Sequence, residues 1–141
     1  MASTNVQESV DASAAAVWQL LADFGGVQKI ADPRFISNCE CDGNEVGCVR
    51  TITLADGSSV RERLESVEQQ SRRLSYSIVG EAPLPVKDYL ATVKVTETGS
   101  DSCQVDWQST FEATGPVEKA EKMIRGVYTG GVACIRKVLG A

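Results

Sequence analysis

GCVRTITLADGSSVRERLES (residues 47–66) contains two runs of alternating apolar and polar side chains, 47–54 and 59–66, on either side of Ala55-Asp56-Gly57. Successive side chains of a strand point to opposite faces. Cys48, Arg50, Ile52 and Leu54 therefore share one face of the first run, and Val60, Glu62 and Leu64 share one face of the second. Gly57 suits the left-handed position of a three-residue hairpin loop. With Leu54 opposite Ser58, Ile52 meets Val60 and Arg50 meets Glu62. An arginine and a glutamate thus oppose each other on a face that is otherwise apolar. A buried ion pair adds little net stability, while removing one partner costs roughly 3–5 kcal/mol. A pair in that position points to a polar site inside the protein.

Around this hairpin the same patterns recur. Residues 4–10 read as a first strand, with Val6 and Val10 as its apolar contacts. Asp11 or Ser13 can cap a helix whose apolar face is Ala14, Val17, Trp18, Leu20 and Leu21, ending near Phe24-Gly25-Gly26. A short second helix is expected over about 26–31. Strand signals then cover about 35–43, 46–55, 59–68, 72–80, 87–97 and 102–113, separated by turns rich in Asp, Gly, Asn and Ser. Leu74, Tyr76 and Ile78 share one face. So do Tyr89, Ala91, Val93 and Val95, and so do Cys103, Val105, Trp107, Ser109 and Phe111. The opposite faces are polar, as in an antiparallel sheet with one wet side. The last segment, 116–139, reads as one long helix. Its apolar stripe is Val117, Ala120, Ile124, Val127, Gly131, Cys134 and Val138. Gly130-Gly131 within it leaves two readings open: close packing on the sheet, or room for a ligand. The order predicts an α+β domain over 1–141, a curved seven-stranded antiparallel sheet wrapped around a C-terminal helix, with two short helices after the first strand.

Composition closes several function classes. The 141 residues carry a formal net charge of −5, which argues against nucleic acid and anionic membranes as partners. The N-terminus has no signal-peptide pattern, and no apolar run reaches the ~20 residues of a membrane span. There is no histidine, which excludes histidine-based nucleophilic catalysis and removes the commonest metal ligand. Cys39, Cys41, Cys48, Cys103 and Cys134 form no C-x-x-C pair and read as reduced, mostly buried thiols of a cytoplasmic protein. Neither a metal nor a cofactor is expected.

The motifs GCVR (47–50), ERLE (62–65), LSYSIVG (74–80), DYLAT (88–92) and the Trp107 strand resemble the helix-grip superfamily of START domains, plant allergens, hormone receptors and small bacterial polyketide cyclases. The resemblance covers nearly the whole chain. It implies an internal cavity between sheet and C-terminal helix, with an arginine and a glutamate lining it. Arg50 and Glu62 hold those motif positions, and Tyr89 in DYLAT matches a tyrosine implicated in catalysis in an enzyme of the group. The chain departs from the hormone-receptor pattern at Ser37, where those proteins carry a lysine, and in the loops at 55–58 and 81–85. The resemblance therefore does not imply their hormone as the ligand.

The expected function is binding of a small, largely apolar or amphipathic molecule whose polar end meets Arg50, Glu62 and Tyr89. Tyr76, Ile52, Leu64, Leu84 and Trp107 would line the cavity, with Met123 and Val127 on its helix side. Entrance is expected between the 55–59 loop, the 81–88 loop and the last helix. Two alternatives stay open. One is a cofactor-independent cyclase, dehydratase or isomerase, with Glu62 as acid/base, Arg50 stabilising developing negative charge and Tyr89 as donor. The other is a ligand-gated module whose 81–88 loop acts as a lid.

Overall fold

The computed structural model describes residues 1–141. Strand β1 (Ala2–Val10) is followed by helix α1 (Ala14–Ala22) and a 3-10 helix (Phe24–Ile30). Six strands follow: β2 (Ile36–Cys41), β3 (Val49–Leu54), β4 (Ser59–Glu68), β5 (Arg73–Ile78), β6 (Val86–Gly99) and β7 (Ser102–Ala113). Helix α2 (Val117–Leu139) closes the chain. All strands pair antiparallel in one sheet of order β1-β7-β6-β5-β4-β3-β2. This is the α+β layout that the alternation predicts and the helix-grip arrangement that the resemblance implies.

Local chemistry sets the boundaries. Ser13 caps α1, its hydroxyl accepting from the Ala16 amide at 3.2 Å. Gly140 adopts a left-handed conformation (φ 66°) and ends α2. In the β3–β4 hairpin Gly57 takes φ 91°. There the Leu54 amide donates to the Ser58 carbonyl at 2.8 Å. The register is the expected one, Ile52 opposite Val60 and Arg50 opposite Glu62.

Two of the sheet's four register shifts decide which side chains point inward. Lys87 pairs with Glu112 and Leu90 with Thr110, so Asp88 and Tyr89 together face one residue of β7. Asp88 takes a positive φ of 52° to do this. The extra residue lets both Val86 and Tyr89 point inward. A second shift between Leu64 and Ser66 in β4 does the same for Leu64 and Val67.

The buried face of α2 differs from the expected stripe. Ala120, Ile124, Tyr128, Gly131, Val132 and Ile135 are buried. Val117, Val127 and Val138 are exposed. Tyr128 faces the sheet because its hydroxyl finds a partner there, and the preceding residue is turned about 100° away around the helix. The glycines resolve toward close packing. A Cβ on Gly131 would stand 3.0 Å from Trp107 Cζ3, whereas nothing lies within 4 Å of one on Gly130. Arg136 ties α2 to β1, donating to Glu8 Oε1 at 3.2 Å and to the Ser9 carbonyl at 2.5 Å. No helix is long and apolar enough to cross a membrane.

Candidate functional site

Arg50 and Glu62 both point into the interior, 6% and 8% exposed. Arg50 Nε donates to Glu62 Oε1 at 2.8 Å, and Arg50 Nη2 reaches the same oxygen at 2.7 Å. Both contacts fall on Oε1, and Oε2 accepts no hydrogen bond from the protein. Arg50 Nη1 donates to the Phe24 carbonyl at 3.0 Å. The guanidinium lies over two rings, 3.9 Å from the centroid of Phe24 and 4.9 Å from that of Tyr76, a cation–π arrangement that partly replaces lost hydration. Burial opposes the charge on Arg50, and the adjacent Glu62 outweighs it, so the arginine's pKa lies above its ordinary value.

An aromatic and hydroxyl cluster adjoins this pair. Trp107 Nε1 donates to the Tyr76 hydroxyl at 3.1 Å. The Tyr89 and Tyr128 hydroxyls share a hydrogen bond. Trp107 stacks on Tyr128 with centroids 4.9 Å apart and planes 10° from parallel. Ser109 and Thr4 share a buried hydroxyl pair at 2.6 Å. Burial pushes Tyr76 and Tyr89 well above the ordinary tyrosine value, and it pushes Tyr128 up to about 12. These phenols are neutral donors at neutral pH.

The expected residues separate into two sets. Arg50, Glu62, Ile52, Leu64, Tyr76, Tyr89 and Trp107 are all buried on the inner side of the sheet, and Leu84 packs half-buried against the core. Met123 and Val127 do not line the interior. They are 39% and 54% exposed on α2, because the face set by Tyr128 turns them away. Ser37 is exposed as well, bonding only the Thr53 carbonyl at 3.2 Å. The residue missed by sequence reasoning is Tyr128. Its spacing from Ile124 and Gly131 was the available signal, and its polar hydroxyl concealed it.

The interior is narrower than expected. A hollow against Arg50, Tyr76, Trp107, Leu74 and Ile30 has a volume of about 20 Å³, room for one water molecule. The side chains of Phe24, Tyr76, Tyr89, Trp107 and Tyr128 occupy the space in which a larger cavity was expected. A wider hollow of about 490 Å³ lies open to solvent at the 42–48 loop and touches none of these residues.

A family model described as polyketide cyclase / dehydrase and lipid transport matches residues 1–140. The chain belongs to this family. MLP-like protein 423 of Arabidopsis thaliana is 30% identical over 118 residues, which is 78% of this chain and 76% of that protein. Abscisic acid receptor PYL6 of the same plant is 31% identical over 103 residues, 69% of this chain but only 46% of the receptor. The chain thus spans about half of that receptor's length. Among solved structures, XoxI from Bacillus cereus superposes with a TM-score of 0.83 at 31% identity, covering 98% of this chain and 95% of that one. Norcoclaurine synthase from Thalictrum flavum, solved with dopamine and hydroxybenzaldehyde, superposes with a TM-score of 0.78 at 21% identity, covering 97% and 85%. At that identity the likeness shows the fold alone. Proteins similar to this chain in sequence or in fold thus include an abscisic acid receptor by name and a synthase solved with dopamine and hydroxybenzaldehyde.

Proposed function

We propose that this protein binds a small, largely apolar molecule between the sheet and α2, with one polar group held by Arg50 and Glu62. The observation that carries this reading is the buried ion pair itself, with both arginine contacts on one carboxylate oxygen and the other oxygen free of protein donors. A ligand hydroxyl or amine placed there would satisfy Glu62 Oε2 without breaking the pair. The neutral Tyr89 and Tyr128 hydroxyls bond each other, which leaves one phenol O–H of the pair to offer as a further donor. Apolar walls with a few convergent polar groups suit such a ligand. The small hollow requires that binding open the interior. Helix α2 packs on β1, β7 and the 3-10 helix rather than on β3 to β5, so the open side for that movement is the Arg50–Glu62 side.

Native mass spectrometry of freshly purified protein, with any bound species released and identified, tests the reading against Arg50→Ala. A small molecule carried by the wild type and absent from a folded Arg50→Ala variant supports it. A wild type that stays empty across a panel of apolar amines, phenols and fatty acids, with no shift in Tm, sinks it.

The free Oε2 also favours a second reading, a proton-transferring enzyme with Glu62 as its base. Glu62→Gln separates the two. A carrier keeps most of its binding, whereas an enzyme loses turnover while still binding.

A further inference from the structure

The closed end of the β2–β3 hairpin gathers three donor atoms that the interior site does not use. Cys41 Sγ, Cys48 Sγ and a carboxylate oxygen of Asp42 all lie within 4.8 Å of one another. The strand register puts them there. Cys41 pairs with Arg50, and the Asp42 amide bonds the Val49 carbonyl at 3.3 Å. Cys48, two residues before Arg50, is therefore the diagonal neighbour of Cys41 on the same face. Asp42 is already oriented, because its Oδ1 accepts from the Val49 amide at 2.8 Å. Cys41 is oriented too, its thiol donating to the Gly43 carbonyl at 2.9 Å. Both cysteines are free thiols. The wide hollow lined by residues 42–46 and Cys48 gives solvent a way to the cluster.

We infer that this hairpin end is a binding site for a thiophilic divalent cation, Zn²⁺ being the ion it suits, with Cys41 Sγ, Cys48 Sγ and the Asp42 carboxylate as protein ligands. Zinc takes thiolate and carboxylate ligands at about 2.3 Å and 2.0–2.2 Å, and three protein ligands leave one position for water. Donor atoms within 4.8 Å of one another close on such an ion through side-chain rotation. Two soft sulfurs favour zinc, cadmium or copper(I) over magnesium or calcium. On binding, the two thiols give up their protons to solvent. Two thiolates and one carboxylate then outweigh the dication by one negative charge. The ion would pin β2 to β3 at the loop, next to the strand that carries Arg50. Histidine and C-x-x-C are the sequence signals of such sites, and neither is present. Cys41 and Cys48, separated by six residues in the sequence, become a pair only through the hairpin.

The test is titration of the reduced full-length chain with Zn²⁺ against a chromogenic chelator, repeated with Cd²⁺ to read the thiolate charge-transfer absorbance. About one ion per chain is expected. Cys41→Ser and Cys48→Ser should each weaken binding by about 100-fold or more, beyond the ~10–100-fold cost of losing an outer-shell partner. Asp42→Asn keeps an acceptor for the Val49 amide and should weaken binding about tenfold. Cys103→Ser and Cys134→Ser should leave it unchanged, and circular dichroism confirms that each variant is folded. Absence of stoichiometric binding overturns the inference. So does binding that survives in the folded Cys41→Ser/Cys48→Ser double variant, and so does a Cys41–Cys48 disulfide in unreduced protein combined with no metal uptake after reduction. All of these results are independent of whether the interior takes a ligand.

Discussion

Arg50 and Glu62 were legible as a facing pair because hairpin register is a local property. A turn of three residues and a period of two leave one pairing, and the structure has it. Their energetics follow from burial. Arg50→Ala leaves the Glu62 carboxylate buried and unpaired, and chemical denaturation should show a loss of about 3–5 kcal/mol. Replacing both, Arg50→Met with Glu62→Leu, should recover most of that loss, since an apolar pair of similar volume is often no less stable than the ion pair. A double variant that is as stable as wild type but no longer retains ligand would mean that the pair is kept for binding rather than for folding. Tyr128 was not legible in the same way. Whether a tyrosine on a helix faces in or out depends on whether its hydroxyl finds a partner, and that partner, Tyr89, lies 39 residues away.

Among the elements, α2 is where sequence and structure part most. Its sequence offers two overlapping apolar stripes, one through Val127 and one through Tyr128, and helical periodicity cannot choose between them. The sheet chooses, because Trp107 stacks on Tyr128 and meets the backbone at Gly131. The adjacent glycines should therefore respond in opposite directions. Gly130→Ala meets nothing within 4 Å and should stabilise by about 1 kcal/mol through helix propensity. Gly131→Ala puts a methyl 3.0 Å from a Trp107 ring that already stacks on Tyr128 and donates to the Tyr76 hydroxyl. Overpacking of that kind costs about 1–3 kcal/mol, so its Tm should fall below that of Gly130→Ala. Equal Tm values would mean that Trp107 has room to move, and with it that the interior opens easily. The bulge at Asp88–Tyr89 also escaped the strand reading. A period-two pattern carries no mark of an inserted residue until the partner strand is in place.

Across the whole molecule the interior behaves as a sheltered set of phenols. Tyr128 is raised from about 10 to about 12, first by burial. Its folded-state pKa exceeds its unfolded one, so its contribution is full below about pH 10 and is lost as pH climbs toward about 12. Tyr76 and Tyr89 shift in the same direction. The urea midpoint should therefore fall steeply across this alkaline window, and Tyr128→Phe should flatten part of that fall. An unchanged slope in Tyr128→Phe would show that the phenol is solvated rather than buried. A ligand that opens the interior stabilises the native state by mass action, so Tm should rise with the concentration of any true ligand and stay level in a folded Arg50→Ala variant.

Residue order alone settled the α+β layout, the seven strands and the inward parity of Arg50, Glu62, Tyr76, Tyr89 and Trp107. Each of these follows from turn chemistry and from periodicities that repeat within a few residues. Folding in three dimensions decided which face of α2 is buried, how little space stays beside Arg50, and that Cys41 and Cys48 are neighbours. Those outcomes depend on contacts between segments far apart in the chain or across a hairpin, and on side-chain volumes filling a shared interior.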